Sequence, residues 1–193
     1  MNAEIISVGT ELLLGAVVNT DTAIVARALS ELGIDLMHTC VVGDNPQRLR
    51  EAVEGAIARS DLLIMTGGLG PTTDDLTKET TAAAAGKKLV LHEESLRRIQ
   101  SYFNEKHVSE NQEKQAWLPE GCTVLQNDNG TAPGCAFQAE NGCTIIMLPG
   151  PPSELAPMLD NYAVPYLKKS QEYTIVSHNV HIYGRGEAPV AQM

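Results

Sequence analysis

Leu62-Leu63-Ile64-Met65-Thr66-Gly67-Gly68-Leu69-Gly70-Pro71-Thr72-Thr73-Asp74-Asp75-Leu76-Thr77 joins an apolar run to a glycine-rich polar turn and then to a helical pattern. The run Leu62 to Met65 predicts a buried strand, and Thr72 and Thr73 are expected to cap the helix that follows. Between them, glycine backbone can turn sharply and come close to a ligand, with free amides directed at an anion. The turn is neither a Walker loop nor a dinucleotide fingerprint, because no Gly-Lys-Thr or Gly-Lys-Ser closes it and the GGxG spacing differs from GxGxxG. A structural turn has no need of consecutive aspartates, whose repulsion a cation or a helix N-terminus relieves, so Asp74 and Asp75 read as functional.

Working outward, Ile5-Ile6-Ser7-Val8 predicts a first strand, followed by a loop at Gly9-Thr10-Glu11. A helix capped by Thr20 or Asp21 carries Ile24, Val25, Ala28, Leu29 and Leu32 at helical spacing and stops at Gly33. Leu36 to Val42 is extended, and Asn45-Pro46 opens another helix as cap and first-turn proline. A third helix follows the glycine loop, runs through Ala82 to Ala85 and stops at Gly86. This alternation predicts a largely parallel sheet covered on both faces.

Farther on, Glu93 to about Lys106 predicts a charged amphipathic helix, and Asn111 to Pro119 a helical or looped excursion with Trp117 packed inside it. Cys135 to Ala139 and Cys143 to Leu148 flank Asn141-Gly142, a strong hairpin signal. Pro149-Gly150-Pro151-Pro152 ends the last strand, and Ser153-Glu154 is expected to cap the next helix. The segment Tyr173 to Tyr183 is expected to be extended. The organisation expected is a domain over residues 1–169, followed at 170–193 by the truncated start of another.

Composition bounds the function. At 193 residues, 43% of them apolar, the chain fits one globular domain of ordinary size. A net charge of −10 argues against broad nucleic-acid binding. Cys40, Cys122, Cys135 and Cys143 show no CxxC spacing and no nearby histidine pair, so neither zinc nor a redox motif is indicated, and reduced thiols in a cytoplasmic protein are expected. No basic leader precedes an apolar run, and no stretch reaches the roughly 18 apolar residues of a membrane span. The five histidines are scattered and read as packing or surface residues.

In such a sheet, ligands gather beyond the carboxyl ends of the strands. The loops that qualify are Gly9-Thr10-Glu11, Gly43-Asp44, Gly67 to Asp75 and Pro149 to Glu154. Asn129-Gly130-Thr131-Ala132-Pro133-Gly134 adds an amide, a hydroxyl and backbone donors suited to ribose or phosphate. Asp44 has a competing account as a turn cap with Asn45-Pro46. Glu11 and Asp44, with Asp75, could hold a hard divalent cation that neutralises diphosphate oxygens and acidifies a bound water.

Taken in order, GTELLLGAVVNTD (Gly9 to Asp21), VVGDN (Val41 to Asn45), TGGLGPTTDDLTKE (Thr66 to Glu79), NGTAPG (Asn129 to Gly134) and LPGPPSE (Leu148 to Glu154) resemble the molybdopterin-binding superfamily. Within it, the chain is most similar to the N-terminal domain of the CinA family of competence and damage-inducible proteins, over roughly residues 3 to 168. The resemblance implies a three-layer α/β/α fold with a mostly parallel sheet and a β-hairpin extension. It also implies hydrolysis of ADP-ribose to AMP and ribose 5-phosphate with magnesium, manganese or cobalt, and a homodimer.

Carried over by position, it implies catalytic roles for Asp75, Asp74 and Asp44, and metal ligation by Glu11, Asp44 and Asp75. Ligand contacts are implied at Gly9, Thr10, Glu11, Asn19, Thr66, Gly67, Gly68, Gly70 and Lys78, and at Asn129, Gly130, Thr131, Pro149, Gly150, Pro152 and Glu154. The alternative is a non-catalytic module that binds molybdopterin or a nucleotide. The molybdopterin-processing relatives carry a hydroxyl residue within the glycine motif and a proline after the aspartates, where this chain has Leu69 and Lys78, which favours the hydrolase expectation. Longer relatives add a C-terminal nicotinamide mononucleotide deamidase domain, whose motifs have no counterpart in these 193 residues.

Overall fold

The computed structural model of the chain describes residues 1–169 and 182–184. Apart from 182–184, the extended segment and the further domain expected beyond Lys169 lie outside the described residues. A six-stranded sheet holds the molecule together: β1 (Asn2–Val8), β2 (Asp35–Val42), β3 (Leu62–Thr66), β6 (Thr123–Leu125), β7 (Gly134–Gln138) and β8 (Thr144–Leu148), in the order β2-β1-β3-β8-β7-β6. The first four run parallel, whereas β7 and β6 are antiparallel. A separate antiparallel pair joins β4 (Leu89–Leu91) to β5 (Trp117–Pro119).

Alternation along the central strands explains the layers. On β3, Leu62 and Ile64 enter one core and Leu63 and Met65 the other; on β8, Ile146 and Leu148 divide from Ile145 and Met147 in the same way. Strands apolar on both faces need helices on both sides. One face is covered by α2 (Asp21–Glu31) through Val25 and Leu29, and by α7 (Pro152–Met158), a π-helical turn at Leu159–Ala163 and α8 (Val164–Lys169). The other is covered by α3 (Pro46–Arg59) through Leu49, Val53 and Ile57, with Ala85 beside α4 (Thr77–Ala84). Each fully buried aliphatic side chain contributes about 1.5–3 kcal/mol, so the two cores dominate the stability.

Several local expectations hold. Asn45 accepts a hydrogen bond from the Arg48 amide and caps α3, with Pro46 in its first turn. Asn141-Gly142 turns β7 into β8, with Gly142 at φ +91. Others are corrected. Gly9-Thr10-Glu11 leads into a single helical turn, α1 (Thr10–Leu13), rather than an open loop. Thr72 and Thr73 do not cap α4, which begins at Thr77 after Leu76 without a side-chain cap. Ser153 lies inside α7 and caps nothing, because Pro151 occupies the cap position. The charged helix is α5 (Glu93–Phe103), and the excursion after it contains α6 (Glu110–Lys114). Trp117 lies 39% exposed on β5. Among the described residues, no helix is long and apolar enough to cross a membrane.

Candidate ligand-binding site

A cavity of about 740 Å³ opens beyond the carboxyl ends of β1, β3 and β8. Its walls include Glu11 and Asn19 from the segment after β1, and Thr66, Gly67, Gly68, Gly70 and Asp75 from the segment after β3. Pro149, Gly150, Pro152 and Glu154 follow β8, and Asn129, Gly130 and Thr131 close the far side. The strand order accounts for this grouping: β1, β3 and β8 are neighbours, whereas β2 lies at the sheet edge and its loop stays outside.

The glycine loop is built for close approach. Gly67 has φ +86, and a Cβ there would stand 2.3 Å from the Val8 carbonyl oxygen; Gly68 has φ +67, and a Cβ there would stand 2.1 Å from Thr77 Oγ1. Only glycine fits both the conformation and the space. The Gly67 amide donates to the Leu148 carbonyl at 3.1 Å, but among the described residues the amides of Gly68, Leu69 and Gly70 find no hydrogen-bond partner, nor do those of Gly130, Thr131 and Gly150. Unpaired backbone donors around a polar cavity suit an anion. Leu69 is 2% exposed and belongs to the core.

The far wall is held by a proline. Pro157 lies inside α7 and has no amide for the Ser153 carbonyl one turn earlier. That carbonyl accepts instead from Asn129 Nδ2 at 2.7 Å, which ties the Asn129 loop to the start of α7. Asn127 completes the joint: its Nδ2 donates to Glu154 Oε2 at 2.6 Å and to the Ala132 carbonyl at 2.9 Å, and its Oδ1 accepts from the Asn129 amide.

At the start of α2, a chain of polar groups links two strand ends to the cavity. Thr66 Oγ1 and Asn19 Nδ2 both donate to Ser7 Oγ, which also contacts Thr22 Oγ1 at 3.2 Å. Thr20 occupies the cap position of this helix, as expected, but makes no side-chain cap hydrogen bond; Asn19 Oδ1, one residue earlier, accepts from the Thr22 amide. Asp21 lines the cavity with its Oδ1 buried and unpartnered, and burial pushes its carboxyl up to about 6.

Five of the sequence-derived positions fall outside the cavity walls: Gly9, Thr10, Asp44, Asp74 and Lys78. Asp44 and Thr10 satisfy each other, with Asp44 Oδ2 accepting from the Thr10 amide at 2.9 Å and Thr10 Oγ1 from the Asp44 amide at 3.1 Å. Gly9 is covered by the carboxylate of Glu11. Asp74 faces solvent, where the Thr72 hydroxyl holds its carboxyl below the ordinary value. Lys78 is 2% exposed and donates to the carbonyls of Lys114 and Gln115 at 3.0 and 2.8 Å, while burial pushes its ammonium down to about 8.

The metal set is likewise not assembled. Asp75 Oδ2 is taken up by the amide and hydroxyl of Thr72, and Asp44 belongs to the Thr10 pair. Among the described residues, no group of three or more His, Cys, Asp or Glu side chains could hold a metal ion. Of the three expected ligands, Glu11 and Asp75 line the cavity and Asp44 does not.

Sequence reasoning missed Asn127, Gln115, Tyr102 and Phe103, and took Asp21 only as a cap. Tyr102 and Phe103 end α5, stand edge to face at 5.3 Å and line the cavity, as do Val17 and Val18. The signal available was composition: Val17, Val18, Tyr102 and Phe103 are apolar residues that no predicted core claimed, and they are 39 to 79% exposed.

Residues 4–169 match the family model described as a probable molybdopterin binding domain. A protein of Acetivibrio thermocellus described as competence-damage inducible is 51% identical over 195 residues, spanning 100% of this chain and 47% of that protein. A CinA-like protein of Desulfovibrio desulfuricans is 52% identical over 191 residues, 99% of this chain and 45% of its own length. The chain thus spans about half the length of the curated relatives it matches. Among solved structures, the protein CinA of Thermoplasma acidophilum, of unknown function, aligns with a TM-score of 0.79 at 35% identity over 84% of this chain and 95% of its own. The molybdopterin biosynthesis enzyme MoaB of Thermus thermophilus shares the fold, with a TM-score of 0.59 at 18% identity over 88% and 92% of the two chains. On these grounds the chain belongs to the molybdopterin-binding domain family, and within it to the CinA proteins.

Proposed function

We propose that this domain binds a phosphorylated heterocyclic ligand, of nucleotide or pterin type, across the strand-end cavity. The observation that carries the reading is the set of unpaired amides at Gly68, Leu69, Gly70, Gly130, Thr131 and Gly150 around one cavity. Such donors stabilise phosphate oxygens, and the apolar lining of Val17, Val18, Tyr102 and Phe103 offers contact to a planar ring. Pterin binding agrees with the family description, and nucleotide binding agrees with the order of the five motifs. The test is calorimetric titration of the protein with ADP-ribose and with dihydroneopterin triphosphate. Saturable binding of either supports the reading, and heat of dilution alone for both contradicts it.

A second reading, cleavage of the bound diphosphate of ADP-ribose, is favoured by the carboxylates of Glu11, Asp21 and Asp75 lining the same cavity as the amides. Asp75, whose carboxylate lies against Gly70 of the glycine loop, is the residue assigned to the reaction. ADP-ribose would be incubated with the protein alone and with magnesium, manganese or cobalt, beside an Asp75→Asn variant, and AMP followed. Release that the variant loses by about 100-fold or more supports turnover; tight binding without release leaves the domain a binding module.

A further inference from the structure

Gln115 is 1% exposed and lines the main cavity, yet among the described residues its side-chain amide makes no hydrogen bond, and Oε1 is buried without a partner. A native fold seldom encloses an unused amide, because the group gives up its hydrogen bonds to water for nothing in return. The backbone around it is anything but loose. Lys78 on α4 donates to the carbonyls of Lys114 and Gln115 at 3.0 and 2.8 Å. Lys114 returns the contact, its Nζ reaching the Asp75 carbonyl at 2.6 Å, the Thr72 carbonyl at 3.4 Å and the Glu79 carboxylate at 3.4 Å.

Two lysines thus clasp residues 114–115 to the segment carrying Asp75, from opposite directions. Burial of the Lys78 ammonium is costly and exceeds what ordinary helix packing requires. Its effect is to fix the backbone from which the unpartnered side-chain amide of Gln115 projects. The last torsion of a glutamine is soft, so either amide atom can turn toward a ligand.

We propose that Gln115 is a ligand-contacting, specificity-determining residue that recognises a hydroxyl or N–H group carried beside the phosphates, and that Lys78 and Lys114 are positioning residues that hold it there. The proposal rests on the binding reading above and adds to it. It predicts that the cavity distinguishes a ligand with a sugar or heterocycle next to its diphosphate from diphosphate alone. The glycine-loop amides recognise the phosphates, which both share; Gln115 recognises what only the larger ligand carries.

The experiment titrates ADP-ribose, dihydroneopterin triphosphate and inorganic pyrophosphate into wild type, Gln115→Met, Lys78→Met and the double variant, with melting temperatures measured alongside. Q115M keeps the side-chain length and removes the amide. The expected result is an affinity for the organic ligand reduced by about 5- to 10-fold, with pyrophosphate binding unchanged. The melting temperature should be equal or higher, because an unpartnered buried amide has been replaced by an apolar group. In K78M the same ligand should weaken, and that loss should vanish in the Q115M background, the signature of one residue acting through another.

Wild-type affinity for the organic ligand in Q115M would overturn the proposal. So would a lower melting temperature with both ligand classes weakened together, which marks a structural role. Fully additive K78M and Q115M losses would overturn the positioning role of Lys78. Failure of wild type to bind any of the three probes overturns the binding reading itself, an outcome distinct from the others.

Discussion

Asp21 illustrates how one side chain ties stability to the site. Its carboxyl is raised to about 6 by burial from an ordinary value of 3.8. The folded protein therefore holds the proton more tightly than the unfolded chain, so this group's contribution is most favourable below about pH 4 and is lost as pH rises through about 6. Replacing Asp21 by Asn removes the ionised form. With solvent screening discounted, the variant should gain of the order of 1 kcal/mol at pH 7.5. It should melt about 2–4 °C above wild type there, with the difference closing by pH 4. Thermal melts across that pH range decide it, and a variant that melts lower at pH 7.5 would show that the carboxylate is satisfied. The same substitution should weaken binding of a ligand that offers donors to Oδ1, the usual cost of a group kept for function.

Gly67 fails differently. A methyl group there meets the Val8 carbonyl oxygen in a left-handed conformation, so Gly67→Ala should lose about 3 kcal/mol and lower the urea midpoint. A midpoint within error of wild type would mean that the loop shifts freely. The sequence made this residue legible, since consecutive glycines after a strand imply positive φ. Asp21 was less legible, because its position suits a helix cap as well as a cavity wall. Lys78 was misread for a physical reason: a charged residue beside two aspartates invites an electrostatic role, and nothing local shows that backbone carbonyls of residues 114 and 115 will enclose it.

At the scale of elements, caps were read well where the side chain acts on its own helix. Asn45 accepts from the Arg48 amide at 3.0 Å, and Asn45→Ala should cost about 1 kcal/mol while Asn45→Asp costs little. Chemical denaturation of the two variants checks the order, and equal loss in both would assign the effect to something other than the cap. Thr72 and Thr73 were misread because α4 begins only at Thr77, with the amide and hydroxyl of Thr72 going to Asp75, and Ser153 because it lies inside α7, whose cap position Pro151 occupies. The β4–β5 pair was not read at all. Its strands of three residues carry no alternation long enough to separate from helix or loop, and they pair across the 25 residues that separate them.

For the molecule as a whole, the alternation of strands and helices and the apolar runs of β1, β3 and β8 dictate a layered α/β domain. The sheet order, invisible in the sequence, then decides which loops share a site. Placing β2 at the edge removes Asp44 from the cavity and leaves Glu11 and Asp75 on it. Placing β8 beside β3 brings the Pro149 to Glu154 segment against the glycine loop, with Gly150 close enough that a Cβ there would lie 3.3 Å from Gly67 Cα.

The central claim is that these loops form one ligand site, and amide chemical shifts of the isotopically labelled protein titrated with ADP-ribose test it most directly. The account predicts saturable shifts concentrated at Gly68 to Gly70, Asn129 to Thr131 and Gly150, with Gln115 among them and the β2 edge silent. Shifts confined to β2, or none at a concentration that saturates other nucleotide sites, would contradict it.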